Sequence, residues 1–406
     1  MIWFRKKKDE PTTLAVDALR AEFPLLAQSD IAYLDSAATA HKPLVVLNAE
    51  REYYEKNNAN VHRGIYKLAD ASTAAYEDAR QTVAKYFGGT ADETVFTSGA
   101  THALNLAAHI LESAVTLKEG DEILTTVAEH HSLLIPLQQL AKRTGATLVV
   151  TPLTNGTITV GSIMDLVTSK TKIIALAHSS NVLGYTLELR NIKKNRAILL
   201  VDACQSAAHT TVEIGHIDMI AVSAHKLYGP MGVGCLVAKR TLLENGTPLL
   251  FGGSMIEKVT AQESTWALPP SRYEAGTPNV AGAVGFAAAL QFITLHHAEI
   301  EKREHALTAQ AETIIAKYAT LIGQRAGTHT APIISFVMKD IHAHDVAQVL
   351  DAFGVCVRAG QHCAQPLHDA LGITASVRVS IGAYTTLADL EKLEQGLIHA
   401  QKVLGK

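Results

Sequence analysis

Ser223-Ala224-His225-Lys226 closes the apolar run Met219-Ile220-Ala221-Val222 and precedes the turn Tyr228-Gly229-Pro230. Run and turn together read as a buried strand ending in a loop. A lysine held at such an end, beside a histidine, is placed to condense with an aldehyde as a Schiff base. The ordinary alternative is a surface lysine in a hairpin loop.

Other apolar runs end in residues of comparable ambiguity. In Thr97-Ser98-Gly99-Ala100-Thr101 a glycine turn leads into a helix. Such a start offers N–H groups and a hydroxyl to a phosphate, or is a plain cap. In Glu129-His130-His131-Ser132, His130 could stack on a flat ring or move protons, or be structural. Asn181 could hydrogen-bond a phenolic oxygen or shape its turn. Asp202 closes Leu199-Leu200-Val201, where it could pair with a protonated pyridine nitrogen or cap a helix. Taken together, these are a phosphate cradle, a stacking imidazole, a carboxylate for a ring nitrogen and a Schiff-base lysine. That set matches pyridoxal phosphate.

The elements that must position them alternate. Strands are expected at 94–97, 122–126, 147–151, 172–177, 197–202, 219–223 and 234–238, with helices at 73–87, 100–111 and 133–143. Several strands are continuous β-branched runs, which suits burial on both faces. An α/β fold with a mostly parallel sheet follows, with ligands at the carboxyl ends of its strands. A long helical region at 281–318 leads to strands at 332–338, 355–357 and 377–381, a helix at 345–353 and a last helix at 387–404. The expected domains are an amphipathic arm packing with the small domain (1–30), a large domain (31–290) and a smaller C-terminal α/β domain (291–406).

With 406 residues, 48% of them hydrophobic, the chain can bury a large core, and a net charge of -3 gives no footprint for nucleic acid. The basic run at 5–8 reads as a solvated tail. The apolar run near 281–290 is too short and too broken by glycine to cross a bilayer. No secretory pattern is visible, so a cytoplasmic location with reduced cysteines is expected. No metal spacing stands out among the nineteen histidines; His342-Ala343-His344-Asp345 reads as a polar helix start.

The motifs resemble the class V aminotransferase-like family (pyridoxal phosphate enzymes of fold type I). They are most similar to the group II, sulfur-mobilisation type cysteine desulfurases and their selenocysteine lyase relatives. The resemblance runs from about Tyr33 to the C-terminus. It rests on Tyr33-Leu34-Asp35-Ser36-Ala37-Ala38, Asn60-Val61-His62-Arg63-Gly64, Glu129-His130-His131-Ser132, Ser180-Asn181-Val182-Leu183-Gly184, Val201-Asp202-Ala203-Cys204-Gln205, His225-Lys226-Leu227-Tyr228-Gly229-Pro230, Tyr273-Glu274-Ala275-Gly276-Thr277-Pro278-Asn279 and Arg358-Ala359-Gly360-Gln361-His362-Cys363-Ala364-Gln365-Pro366.

The resemblance implies that Lys226 carries the cofactor and moves the Cα proton, that His130 stacks on the ring, and that Asp202 pairs with its nitrogen. Gln205 and Asn181 would meet the ring oxygen and the substrate. Ala100, Thr101, Ser223 and His225 would hold the phosphate, joined by Thr277 from the other subunit of a homodimer. Arg378 would clamp the substrate carboxylate with Arg358 nearby. Cys363 would accept sulfur from L-cysteine as a persulfide and pass it to a scaffold or acceptor protein for iron-sulfur cluster assembly; the alternatives are a selenocysteine lyase acting on L-selenocysteine, which the same loop serves, or another class V reaction such as transamination. Cys204, Cys235 and Cys356 read as packing residues. Ala203-Cys204 stands where the family has Gly-Ala, Ala224 where it has Gly, and Gln361 where it has His. The segment 188–196 is short for a crossover helix.

Overall fold

The computed structural model describes residues 18–323 and 330–405. The basic run at 5–8 and the first 17 residues of the expected arm lie outside them. Among the described residues, seven strands form the central sheet. Their order is Thr94–Thr97, Gly234–Ala238, Met219–Ser223, Ile198–Asp202, Thr171–Ala177, Glu122–Thr126 and Thr147–Thr151. Only Gly234–Ala238 runs against its neighbours. Every residue of Met219–Ser223 and Gly234–Ala238 is buried, which is why these strands read as unbroken apolar runs. Helices Ala100–Ala114 and His131–Thr144 cover one face with a core that includes Leu104, Leu137 and Leu200. Between Thr171–Ala177 and Ile198–Asp202 the crossover contains only the short turn Leu189–Asn191. Leu187, Leu189 and Ile192 are buried there and do the work of a helix face.

A second sheet, of four antiparallel strands, has the order Thr320–Leu321, Ile333–Val337, Ser376–Ser380, Arg358–Gly360. Helix Ala343–Ala352 packs on it, and Leu387–Leu404 packs against that helix and the Ala32–Tyr33 strand. His342 caps the first of these, its Nδ1 accepting from the His344 N–H. The strand expected at 355–357 belongs elsewhere: Val355–Cys356 pairs in parallel with Ala32–Tyr33. Ala32 and Leu34 therefore bury in the core of the C-terminal unit, although they fall in the 31–290 segment. The reason is the pairing itself: two short stretches far apart in the chain complete each other's backbone hydrogen bonds.

The 36-residue helix Val280–Ile315 joins the two units. Its first half, with Phe286, Leu290 and Ile293, buries in the large core; Leu307, Ala311 and Ile315 bury in the small one. By length and composition it could cross a bilayer, yet most of its apolar stretch is buried within this structure. The described part of the arm ties both units. Phe23 meets the rings of Tyr228, Phe292 and Tyr384, and Arg20 pairs with Asp389 at 3.0 Å.

Helix Lys67–Tyr86 starts earlier than the expected 73–87 and holds a clamp on the loop that carries Thr277. Arg80, 2% exposed, makes a two-pronged pair with Glu274 and lies over the rings of Tyr76 and Phe96. Glu274 also accepts from the Phe96 N–H at 2.7 Å and the Tyr76 hydroxyl at 2.8 Å. Arg80→Met leaves that carboxylate buried without its cation, a loss of about 3–5 kcal/mol. The check is the urea midpoint: a large drop is expected in Arg80→Met and partial recovery on adding Glu274→Gln.

Candidate active site

Lys226 ends a short turn, Ala224–Lys226, directly after the strand Met219–Ser223. The turn is anchored two residues on by Tyr228, which takes a positive φ of 58° while fully buried. Its hydroxyl accepts from the Ala383 N–H at 3.0 Å and donates to Glu304 at 3.3 Å. Gly234 is needed beside this turn, since a Cβ there would collide with Val222 O and the Cα of Gly99. That close approach lets Ser223 Oγ accept from the Ala100 N–H at 2.7 Å. The amino end of helix Ala100–Ala114 is thereby pinned against the lysine strand.

A cavity of about 210 Å³ opens at the carboxyl ends of the strands. One end has Ala100, Thr101, Ser223 and His225, the middle has His130, Asp202, Gln205 and Lys226, and the far end has Asn181, Arg358 and Arg378. Thr277 stands apart, in a second pocket with Ser98, His102 and Tyr76. Cys363 is not in the wall itself; its Sγ lies 3.7 Å from Arg358 Nη2, at the rim.

Charge is arranged along this cavity. The helix start at Ala100 presents N–H groups and a positive dipole end. Thr101 Oγ1 sits 2.8 Å from Ser132 Oγ. His130 Nδ1 accepts from the Ser132 N–H at 3.1 Å, so the ring proton belongs on Nε2. Burial, reinforced by the Lys226 charge, pulls His130 down to about 4, and the same two causes pull His225 to about 4. Both imidazoles are therefore neutral at pH 7. Asp202 Oδ1 accepts from the Cys204 N–H at 3.0 Å, and Gln205 Nε2 donates to Ala37 O at 3.0 Å.

At the far end Arg358 and Arg378 are direct cross-strand partners. Arg378, 1% exposed, donates to Asn181 O at 3.1 Å and to Asp35 Oδ1 at 3.1 Å, while its Nε has no partner. Two guanidiniums against one carboxylate leave an excess of positive charge, which suits an anionic group of a ligand.

Four contributors were not assigned roles from the sequence. Asp35 and Ser132 lie within the motifs at 33–38 and 129–132, but nothing in their spacing shows a contact with Arg378 or Thr101. Cys204 is buried as expected of a packing residue, yet it lines the cavity beside Asp202. Glu129, wholly buried, accepts from Thr126 Oγ1 at 2.6 Å and from the Ala177 N–H at 2.8 Å.

Residues 32–393 match the family described as Aminotransferase class-V. A probable cysteine desulfurase of Halalkalibacterium halodurans is 42% identical, with 94% of this chain and 97% of that protein covered. The chain belongs to the cysteine desulfurases of the class V aminotransferase family. Probable cysteine desulfurase 2 of Mycobacterium leprae is 39% identical, over 97% of this chain and 99% of that one. Among solved structures, the apo cysteine desulfurase of Thermococcus onnurineus superposes with a TM-score of 0.90 at 35% identity, covering 96% and 98% of the two chains. The Escherichia coli cysteine desulfurase CsdA gives 0.87 at 35% identity, also over 96% and 98%.

Enzymes of this class V family depend on pyridoxal phosphate, and the cavity fits that group. An N–H-rich helix start faces one end, a lysine amine and a carboxylate face the middle, and a guanidinium pair with an unpartnered Nε faces the other.

Burial raises Glu129 to about 8, against about 4.3 for a free glutamate. The folded chain thus holds a proton that the unfolded chain has lost between those values. Its contribution to stability is complete below about pH 4 and is lost as pH rises to about 8. Glu129→Gln, permanently neutral, is expected to flatten the fall in melting temperature across that window. An identical fall in both proteins would count against a raised carboxyl.

Proposed function

We propose that this cysteine desulfurase takes sulfur from L-cysteine onto Cys363 as a persulfide and releases L-alanine. The observation that carries the reading is the Cys363 sulfur lying 3.7 Å from an arginine of the Lys226 cavity wall. Bound there, pyridoxal phosphate supplies the electron sink that makes the Cα–H bond of an amino acid labile. Lys226 would hold it and would carry the Cα proton. Asp202 would pair with the ring nitrogen, and His130 would stack on the ring and assist in proton movement. Gln205 and Asn181 contact the ring oxygen and the substrate. Ala100, Thr101, Ser223 and His225 hold the phosphate.

Arg378 and Arg358 take the substrate carboxylate, which places its Cβ and sulfur toward the Cys363 loop. Cys363 attacks as the thiolate. Its Sγ bonds to the substrate sulfur, the Cβ–S bond breaks with its electron pair left on carbon, and Cβ takes a proton. The atoms balance without an outside oxidant: one thiol becomes a persulfide and cysteine becomes alanine. We place this chemistry in the cytoplasm, a reducing compartment, with an acceptor or scaffold protein taking the sulfur onward for iron-sulfur cluster assembly.

The position of Thr277, outside its own chain's cavity, supports a homodimer in which it reaches the phosphate of the neighbouring subunit.

Cys363→Ser is expected to keep the cofactor's yellow absorbance and its change on adding L-cysteine, but to gain no sulfur. Intact-protein mass spectrometry after incubation with L-cysteine is the check, and a one-sulfur increase in the variant would overturn the assignment. A second expectation concerns the dimer. Lys226→Ala and Thr277→Ala subunits, mixed and re-equilibrated, should form hybrids with one complete site and regain part of the activity that each lacks alone. No recovery, with hybrids demonstrated by native mass spectrometry, would place Thr277 outside the partner's site.

A further inference from the structure

The sulfur-bearing loop has an unusual backbone. It runs from the strand Arg358–Gly360 to the helix Gln365–Leu371, and both His362 and Cys363 have positive φ, 52° and 57°. Side-chain-bearing residues adopt that region at a cost and stay there only where their surroundings impose it. Two main-chain contacts are part of the imposition. The His131 N–H donates to Cys363 O at 2.8 Å, and Asn181 Nδ2 donates to His362 O at 2.7 Å.

The third restraint is a line of buried side chains that the proposed chemistry does not use. His362 Nε2 lies 3.0 Å from Ser376 Oγ, Ser376 Oγ lies 3.0 Å from His368 Nε2, and His368 Nδ1 lies 3.0 Å from Ala364 O. His362, Ser376 and His368 are 2%, 0% and 0% exposed. Burial keeps both imidazoles neutral, pulling His362 to about 2 with help from Arg378 and lowering His368 as well.

The proton order in this line has one solution. A carbonyl can only accept, so His368 Nδ1 carries the proton that goes to Ala364 O. His368 Nε2 is then an acceptor, and Ser376 must spend its single proton on it. Ser376 Oγ therefore accepts from His362 Nε2–H. Both ends of the line attach to the residues flanking Cys363.

We infer that Ser376, acting with His362 and His368, is a positioning residue for Cys363: it fixes the His362 ring and with it the strained turn that holds the sulfur beside Arg358. This rests on the reading of Cys363 as the sulfur acceptor. None of the three side chains lines the Lys226 cavity, so the line acts on the sulfur-transfer step and not on cofactor attachment.

The test uses Ser376→Ala, Ser376→Thr and His368→Leu in the holoenzyme. The readouts are single-turnover persulfide formation, iodoacetamide alkylation of Cys363, and the absorbance change on adding L-cysteine. In Ser376→Ala, persulfide formation is expected to fall about tenfold and alkylation to rise about tenfold, the scale set by two lost buried hydrogen bonds. The absorbance change should persist. Ser376→Thr, which keeps the hydroxyl, should restore both rates. His368→Leu breaks the line from its other end and should move both rates the same way, so the idea stays testable if Ser376→Ala folds poorly. Unchanged rates in both breaking variants would overturn the inference. So would a fall in both rates together, since a merely structural loss does not expose the thiol selectively. If the unsubstituted enzyme forms no persulfide, it is the sulfur-acceptor reading that fails, and the alkylation rates alone still decide whether Ser376 positions the loop.

Discussion

Two arginines stand side by side across one strand pair, and much of the site depends on how that strain is resolved. Arg358 and Arg378 face each other in register, and like charges in that arrangement repel. Arg378 is almost fully buried, where an uncompensated charge is costly. Asp35 supplies one negative charge, and Asn181 O accepts a hydrogen bond from another of the guanidinium's N–H groups. The rest of the imbalance faces the cavity. The same electrostatic deficit that would destabilise an ordinary sheet leaves positive charge facing the cavity at this edge, which suits an anionic group.

That resolution draws together three distant parts of the chain. Asp35 is held by a bridge to Ser380, in the segment that runs from the Ala32–Tyr33 strand toward the large domain. Asn181 follows the strand Thr171–Ala177 of the central sheet and also holds the Cys363 loop through His362 O. One asparagine thus fixes the arginine by its backbone and the sulfur-bearing loop by its side chain. The long helix Val280–Ile315 and the Phe23 contacts keep the two units in register, without which these contacts would not meet.

The cavity's other end follows a different rule. There the parallel strands end together, and Ser223, pinned to the start of helix Ala100–Ala114, sets backbone N–H groups next to the lysine turn. Glycine at 99 and 234 lets three main-chain segments approach closely enough for this. Positive potential at both ends, with neutral imidazoles and Asp202 between, suits a dianionic cofactor joined to an anionic amino acid.

Much of this was legible in the residues themselves. Continuous apolar runs ending in polar residues point to strands covered on both faces, though not to their direction: Gly234–Ala238 is such a run and lies antiparallel to its neighbours. The order of Asp202, Ser223 and Lys226 along those ends followed, as did a final helix at 387–404, matched by Leu387–Leu404. What only the tertiary structure decided are the contacts between residues far apart in the chain. Examples are the pairing of Ala32–Tyr33 with Val355–Cys356, Asp35 on Arg378, the Arg80–Glu274 clamp and the Ser376 line behind Cys363. Periodicity and turn chemistry report the local preferences of a few neighbouring residues. Which buried charge meets which partner depends on how whole elements pack, and no short stretch of sequence carries that information.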